Sequence, residues 1–93
     1  MINRIVGETL NALRKEKHYS QEKLADVCGM SRETINQLCR NKYKSAPSEY
    51  NIRKIAEALG ADPLYLTGET EYINDNDYLA SIANKYIETE SIG

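Results

Sequence analysis

Two short amphipathic segments held three residues apart constrain this chain more than any other feature. QEKLADVC (21–28) and RETINQLCR (32–40) flank Gly29-Met30-Ser31. Ser20 is a natural N-cap for the first segment, and Glu22 falls in its first turn, where a carboxylate is favoured. Leu24, Ala25, Val27 and Cys28 give that segment an inner face. Gly29 stands where a chain leaving a helix needs positive φ. Ser31 caps the second segment, and Ile35 and Leu38 point it inward. Counting Gln21 as position one, a small residue (Ala25) falls at position five and glycine at position nine. Apolar residues fill positions four, eight, ten, fifteen and eighteen (Leu24, Cys28, Met30, Ile35, Leu38). Close helix approach, a tight turn and a packed interhelical angle need those residue types in that order. The pattern predicts a helix-turn-helix.

The rest of the sequence also reads as short helices, so the expected class is all-α. Ile2, Ile5, Val6, Leu10 and Leu13 follow one apolar face and predict a first helix over Ile2–Lys17, ending in RKEK. His18 and Tyr19 make the next turn. After the two central helices comes NKYKSAPSEYN, a polar, partly basic loop. A fourth helix is predicted over Glu49–Leu59 from Ile52, Ile55, Ala56 and Leu59, with Gly60 as its stop. Asp62 before Pro63 is an N-cap followed by proline at the first helical position, opening a short fifth helix, PLYLTG. Tyr78, Leu79, Ile82, Ala83, Tyr86 and Ile87 would line one side of a sixth, over Asp77–Glu88. The boundaries expected are a compact domain over residues 1–69 and an acidic tail over 70–93.

Charge separates the same two parts. Residues 14–54 carry ten Lys or Arg against five acids, a net of about +5. Residues 55–93 carry only Lys85 against eight acids, about −7. The overall charge of −2 conceals this. A basic segment of this kind attracts a polyanion while the acidic end faces elsewhere.

Several function classes are unattractive. Cys28 and Cys39 lie too far apart for a zinc pattern, and His18 is the only histidine, so no metal or cofactor is expected. Cys28 reads as a small buried hydrophobe and Cys39 as partly exposed. No nucleophile–base pair and no glycine-rich phosphate loop is present, so no enzymatic activity is expected. No apolar run nears the roughly 20 residues that cross a bilayer. MINRIVGETL lacks the layout of a signal peptide, which makes a cytoplasmic protein, with no membrane partner and reduced cysteines, the expectation.

The stretches VGETLNALRKEKHYSQEKLADVCGMSRETINQLCRN and IRKIAEALGADPLYLTGE resemble the Cro/C1-type helix-turn-helix family, also called xenobiotic-response-element or lambda-repressor-like. The resemblance covers about residues 5–70. It implies a compact five-helix domain that binds operator DNA, usually as a dimer. The loop after the third helix is about three residues longer than in short members, so its backbone contacts do not carry over directly.

Carried over by position, the resemblance makes the third helix the one that enters the major groove. Arg32, Glu33 and Gln37 become the base readers, with Thr34 and Asn36 flanking them. Their chemistry suits the task. Arg pairs with guanine O6 and N7, Gln with adenine N6 and N7, and Glu accepts from cytosine N4. Glu33 has a second reading, in which it holds Arg32 or Arg40 in place. Gln21 falls where family members contact a phosphate. Ser31, Arg40, Asn41, Lys42, Tyr43 and Lys44 are further phosphate candidates. Such contacts position the protein without reading sequence.

The expected function is a phage- or prophage-type repressor that binds a palindromic operator in double-stranded DNA as a homodimer. A two-fold operator needs paired recognition helices roughly 34 Å apart. Tyr78, Leu79, Ile82 and Tyr86 are the candidate dimer residues, because an isolated helix of about twelve residues is marginal in water and needs a partner surface. At this length an inducer would be another protein or would act through the tail. Alternatives are the antitoxin of a toxin–antitoxin pair, with the toxin bound through the tail, and an interaction module without DNA binding. An antirepressor is a further possible protein partner.

Overall fold

The computed structural model describes residues 1–92, with the side chains of residues 1–84. Among them are six helices and no strand. They are α1 (Gly7–Glu16), α2 (Gln21–Cys28), α3 (Arg32–Cys39), α4 (Glu49–Leu59), α5 (Pro63–Thr67) and α6 (Asp75–Ile92).

Each central helix starts on the cap its sequence supplies. Ser20, Ser31 and Ser48 hydroxyls accept from the N–H groups of Lys23, Thr34 and Asn51 at 3.0–3.1 Å. The Asp62 carboxylate accepts from the Leu64 N–H at 2.9 Å. Each cap satisfies one donor that the first turn leaves open. Gly29, at φ 68°, ends α2 in the left-handed region and turns the chain into α3.

The helices then close around one core. Leu10 from α1, Leu24 from α2, Ile35 from α3, Ile52 and Ile55 from α4 and Leu66 from α5 are all fully buried. Burying an aliphatic side chain of this size stabilises by about 1.5–3 kcal/mol. α2 lies against both α3 and α4, while α1 spans α3 and α5. The outer side of α3 is therefore left free.

The entry to α1 differs from the predicted helix over Ile2–Lys17. Residues 2–6 are not helical, and Ile2 is half-exposed. The Val6 N–H donates to the Leu66 carbonyl at 2.9 Å, and Ile5 is fully buried. This short arm is an extended strap on α5. Arg4 donates to the Thr67 carbonyl at 3.0 Å, and the Ile2 N–H donates to Glu69 Oε1 at 2.7 Å. The helix starts at Gly7, whose backbone lies against the end of α3. A Cβ there would collide with the Cys39 carbonyl oxygen and sit 2.9 Å from the Leu38 oxygen.

Two smaller readings are corrected, and two helix boundaries are refined. Val27 is 46% exposed, because helical periodicity sets it to one side of the buried face made by Leu24, Ala25 and Cys28. Cys39 is buried: it ends α3 beneath Asn11 and Gly7 of α1. Arg40 lies just past α3 as its C-cap. The last helix begins at Asp75, two residues earlier than expected, with the Asn74 side chain accepting from the Asp77 N–H at 2.9 Å.

The start of the tail is anchored. The Ile73 carbonyl accepts from the Asp62 N–H at 2.6 Å, and its side chain rests on the core. Tyr72 and Tyr78 meet edge to face at 5.1 Å. Beyond that point the stripe expected to be covered is open within the single chain: Tyr78, Leu79 and Ile82 are 46, 59 and 45% exposed. Tyr86 lies outside the described side chains. No helix among the described residues is long and apolar enough to cross a membrane.

Candidate nucleic-acid interface

α3 presents two different sides. Ile35, Leu38 and Cys39 anchor it in the core. Arg32, Glu33 and Thr34 are exposed along its first turn, and Asn36 and Gln37 follow, half-buried. The expected reading edge is thus brought together on one short helix.

Its polar groups are partly committed to one another. The Ser31 oxygen caps Thr34, and the two hydroxyls are 2.8 Å apart. Gln37 Nε2 donates to Glu33 Oε1 over a long 3.4 Å. Asn36 Nδ2 donates to Gln21 Oε1 at 2.9 Å, joining α3 to the first residue of α2. Glu33 therefore contacts Gln37 rather than steadying Arg32 or Arg40. Among the described residues the one ion pair is Arg53–Glu49, within α4. Neither arginine of α3 and its cap is neutralised by a described carboxylate.

The loop after α3 divides the expected phosphate contacts. Arg40, Lys42 and Lys44 are exposed cations. Tyr43 rests on the core, half-buried. Lys44 faces Thr34, Gln37 and Asn51 across a cleft between α3 and the start of α4, with buried Pro47 fixing the loop. Asn41, also exposed, has a structural contact that the sequence did not suggest. At φ 55°, it turns its side-chain oxygen back to accept from the Gly7 N–H at 2.8 Å. Val6 has no side chain able to cap α1, so Asn41 caps it from 34 residues away.

Two residues near the site were not marked in the sequence. Arg14 donates to the Tyr19 carbonyl at 2.6 Å and to Asn11 Oδ1 at 3.1 Å, fixing the turn into α2. With Ser20, Gln21, Glu22 and Arg32 it borders a notch at the start of α2. Its place in the RKEK cluster was the available signal. Asn51 lines the α3 cleft, and nothing in its local sequence distinguishes it.

Burial pushes both thiols above their ordinary value, with Lys54 pulling Cys28 back and Arg14 pulling Cys39 back. A buried thiol that stays protonated is a poor nucleophile and a poor metal ligand.

A capped helix, a glycine turn and a second helix with a polar outer face, carried on a five-helix core, define the helix-turn-helix class. A family model described as helix-turn-helix matches residues 10–66. The chain belongs to the Cro/C1-type helix-turn-helix family, whose fold is that of DNA-binding regulators rather than of enzymes. It is 31% identical over 70 residues to the immunity repressor protein of Bacillus phage phi105. That match takes in 75% of this chain but 47% of the repressor, so the chain spans about half of that relative's length. Two solved structures are similar. The restriction-modification controller protein C.AhdI from Aeromonas hydrophila is 37% identical, with a TM-score of 0.59, over 64% of this chain and 88% of that one. The P22 c2 repressor, solved with a synthetic operator, is 28% identical, with a TM-score of 0.63, over 72% and 98%.

Proposed function

We propose that this chain is a transcriptional repressor or controller of the phage type, binding a palindromic operator as a homodimer with α3 in the major groove. The observation that carries the reading is the free outer edge of α3. Arg32, Glu33 and Gln37 stand on it as base readers, with Thr34 beside them. Gln21, Ser31, Arg40, Lys42, Tyr43 and Lys44 surround it as phosphate contacts. The operator complex of the P22 c2 repressor supports this use of the fold. The half-exposed Tyr78, Leu79 and Ile82 on α6 supply the dimer surface, together with Tyr86.

Fluorescence anisotropy with duplex DNA from upstream of its own gene, over a salt series, tests DNA binding. Affinity should fall steeply with salt, because bound phosphates release counterions. Undetectable or salt-insensitive binding refutes the reading. Arg32→Ala and Gln37→Ala should relax base preference at single positions, whereas Lys44→Ala should weaken all sequences alike. Leu79→Asp should shift sedimentation of the full chain from dimer to monomer. A wild type that sediments as a monomer would remove the dimer. The same open face on α6 is what an antitoxin would offer a toxin, and a toxin gene beside this one would favour that second reading.

A further inference from the structure

The bond from Asn36 to Gln21 is, among the described residues, the only side-chain hydrogen bond that joins α2 to α3. It spans 15 positions in sequence and ties the first residue of α2 to the second turn of α3. A primary amide has one oxygen that accepts and one nitrogen that donates twice. Asn36 Nδ2 donates to the Gln21 oxygen, which leaves the Gln21 nitrogen as the free donor end of that carboxamide. Gln21 borders the notch that Arg14, Ser20, Glu22 and Arg32 also line. No described group accepts from that nitrogen.

We infer that Asn36 is a positioning residue: it holds the Gln21 carboxamide with its nitrogen outward, as a ready donor to a DNA phosphate, and does not itself read a base. This rests on the DNA-binding reading above. Bidentate recognition of adenine would require Asn36 to offer its own nitrogen and oxygen together to one base edge. Its nitrogen is directed at α2 instead. Preorienting Gln21 lowers the ordering cost of the phosphate contact. The same bond fixes the angle at which α3 is presented relative to that contact.

The test is a double-mutant cycle in the full chain, read as DNA affinity across a panel of single-base operator variants. Asn36→Ala should weaken every sequence by about two- to tenfold, the worth of one neutral hydrogen bond, and leave the order of preference unchanged. Gln21→Ala should do the same, and adding Asn36→Ala to it should cost little more. Asn36→Asp provides a second variant, since a carboxylate only accepts and would draw the Gln21 nitrogen inward. It should weaken binding more in the Gln21 background than in the Gln21→Ala background, where only its charge is felt. In the wild type the Gln21 side-chain amide resonances should shift on addition of DNA, and in Asn36→Ala that shift should shrink. Base preference relaxed by Asn36→Ala, or losses that simply add, would overturn the inference while leaving DNA binding intact. A wild type that binds no duplex would overturn the DNA-binding reading, and this inference with it.

Discussion

Replacing Gly7 by alanine tests the way α1 is seated on α3. The added methyl would collide with the Cys39 carbonyl oxygen and come within 2.9 Å of the Cys39 carbon and of the Leu38 oxygen. All three are backbone atoms at the end of α3, so no side chain can swing away to relieve the clash. Overpacking of this kind costs about 1–3 kcal/mol. If α1 moves out, the bond from the Gly7 N–H to Asn41 lengthens, at a further cost of about 1 kcal/mol. Alanine recovers at most about 1 kcal/mol of helix propensity. The expected net loss is about 2 kcal/mol, or a fall in Tm of about 8–16 °C for a domain of this size. Circular dichroism at 222 nm during heating, with urea titration as a cross-check, measures it. Gly29→Ala is the control. Its Cβ would meet only the Lys54 Nζ, at 3.5 Å, so its cost is the 1–2 kcal/mol of left-handed backbone alone. A Gly7→Ala protein as stable as wild type would refute the close-approach argument.

Other expectations follow from single contacts. Ser48→Ala removes the cap of α4 and should cost about 1 kcal/mol, seen as a Tm lower by about 4–8 °C. Glu69 accepts from the Ile2 N–H and the Thr67 hydroxyl, which hold its carboxyl below the ordinary 4.5. A lowered folded value gives stability that is present above pH 4.5 and is lost as pH falls through that lowered value. The Tm gap between wild type and Glu69→Gln should therefore be full at neutral pH and close in acid, as melts at several pH values would show. Cys28 and Cys39, buried and protonated, should react slowly with a disulfide reagent at neutral pH and quickly once urea unfolds the chain.

The centre of this fold was legible because its signals are local. Ser20, Gly29 and Ser31 each act on backbone within four residues, so their sequence positions sufficed to place α2 and α3. Asp62-Pro63 and Gly60 did the same for α4 and α5. The arm before α1 was not legible, since Ile2, Ile5 and Val6 fit a helical stripe as well as they fit a strap. What decides between them is the Leu66 carbonyl, 60 residues on, which takes the Val6 N–H. The bond from the Gly7 N–H to Asn41 was hidden for the same reason: a polar residue in a basic loop gives no hint of a partner 34 residues away. Position in the helix-turn-helix pattern put Arg32, Glu33 and Gln37 on α3, where the first two are exposed and the third half-buried. The pairings there, Gln37 to Glu33 and Asn36 to Gln21, depend on rotamers that spacing does not specify.

The strap has a topological consequence. Ile2 and Arg4 are bonded to Glu69 and Thr67, so the five-helix unit begins and ends at one place. Its backbone is almost a closed ring. A short linker from Thr70 to Arg4 would complete that ring with little rearrangement, and new termini could be opened in the exposed stretch at Lys44–Ser45. A chain permuted in this way should keep the packing of the five helices, which its far-UV circular dichroism and thermal melt would check.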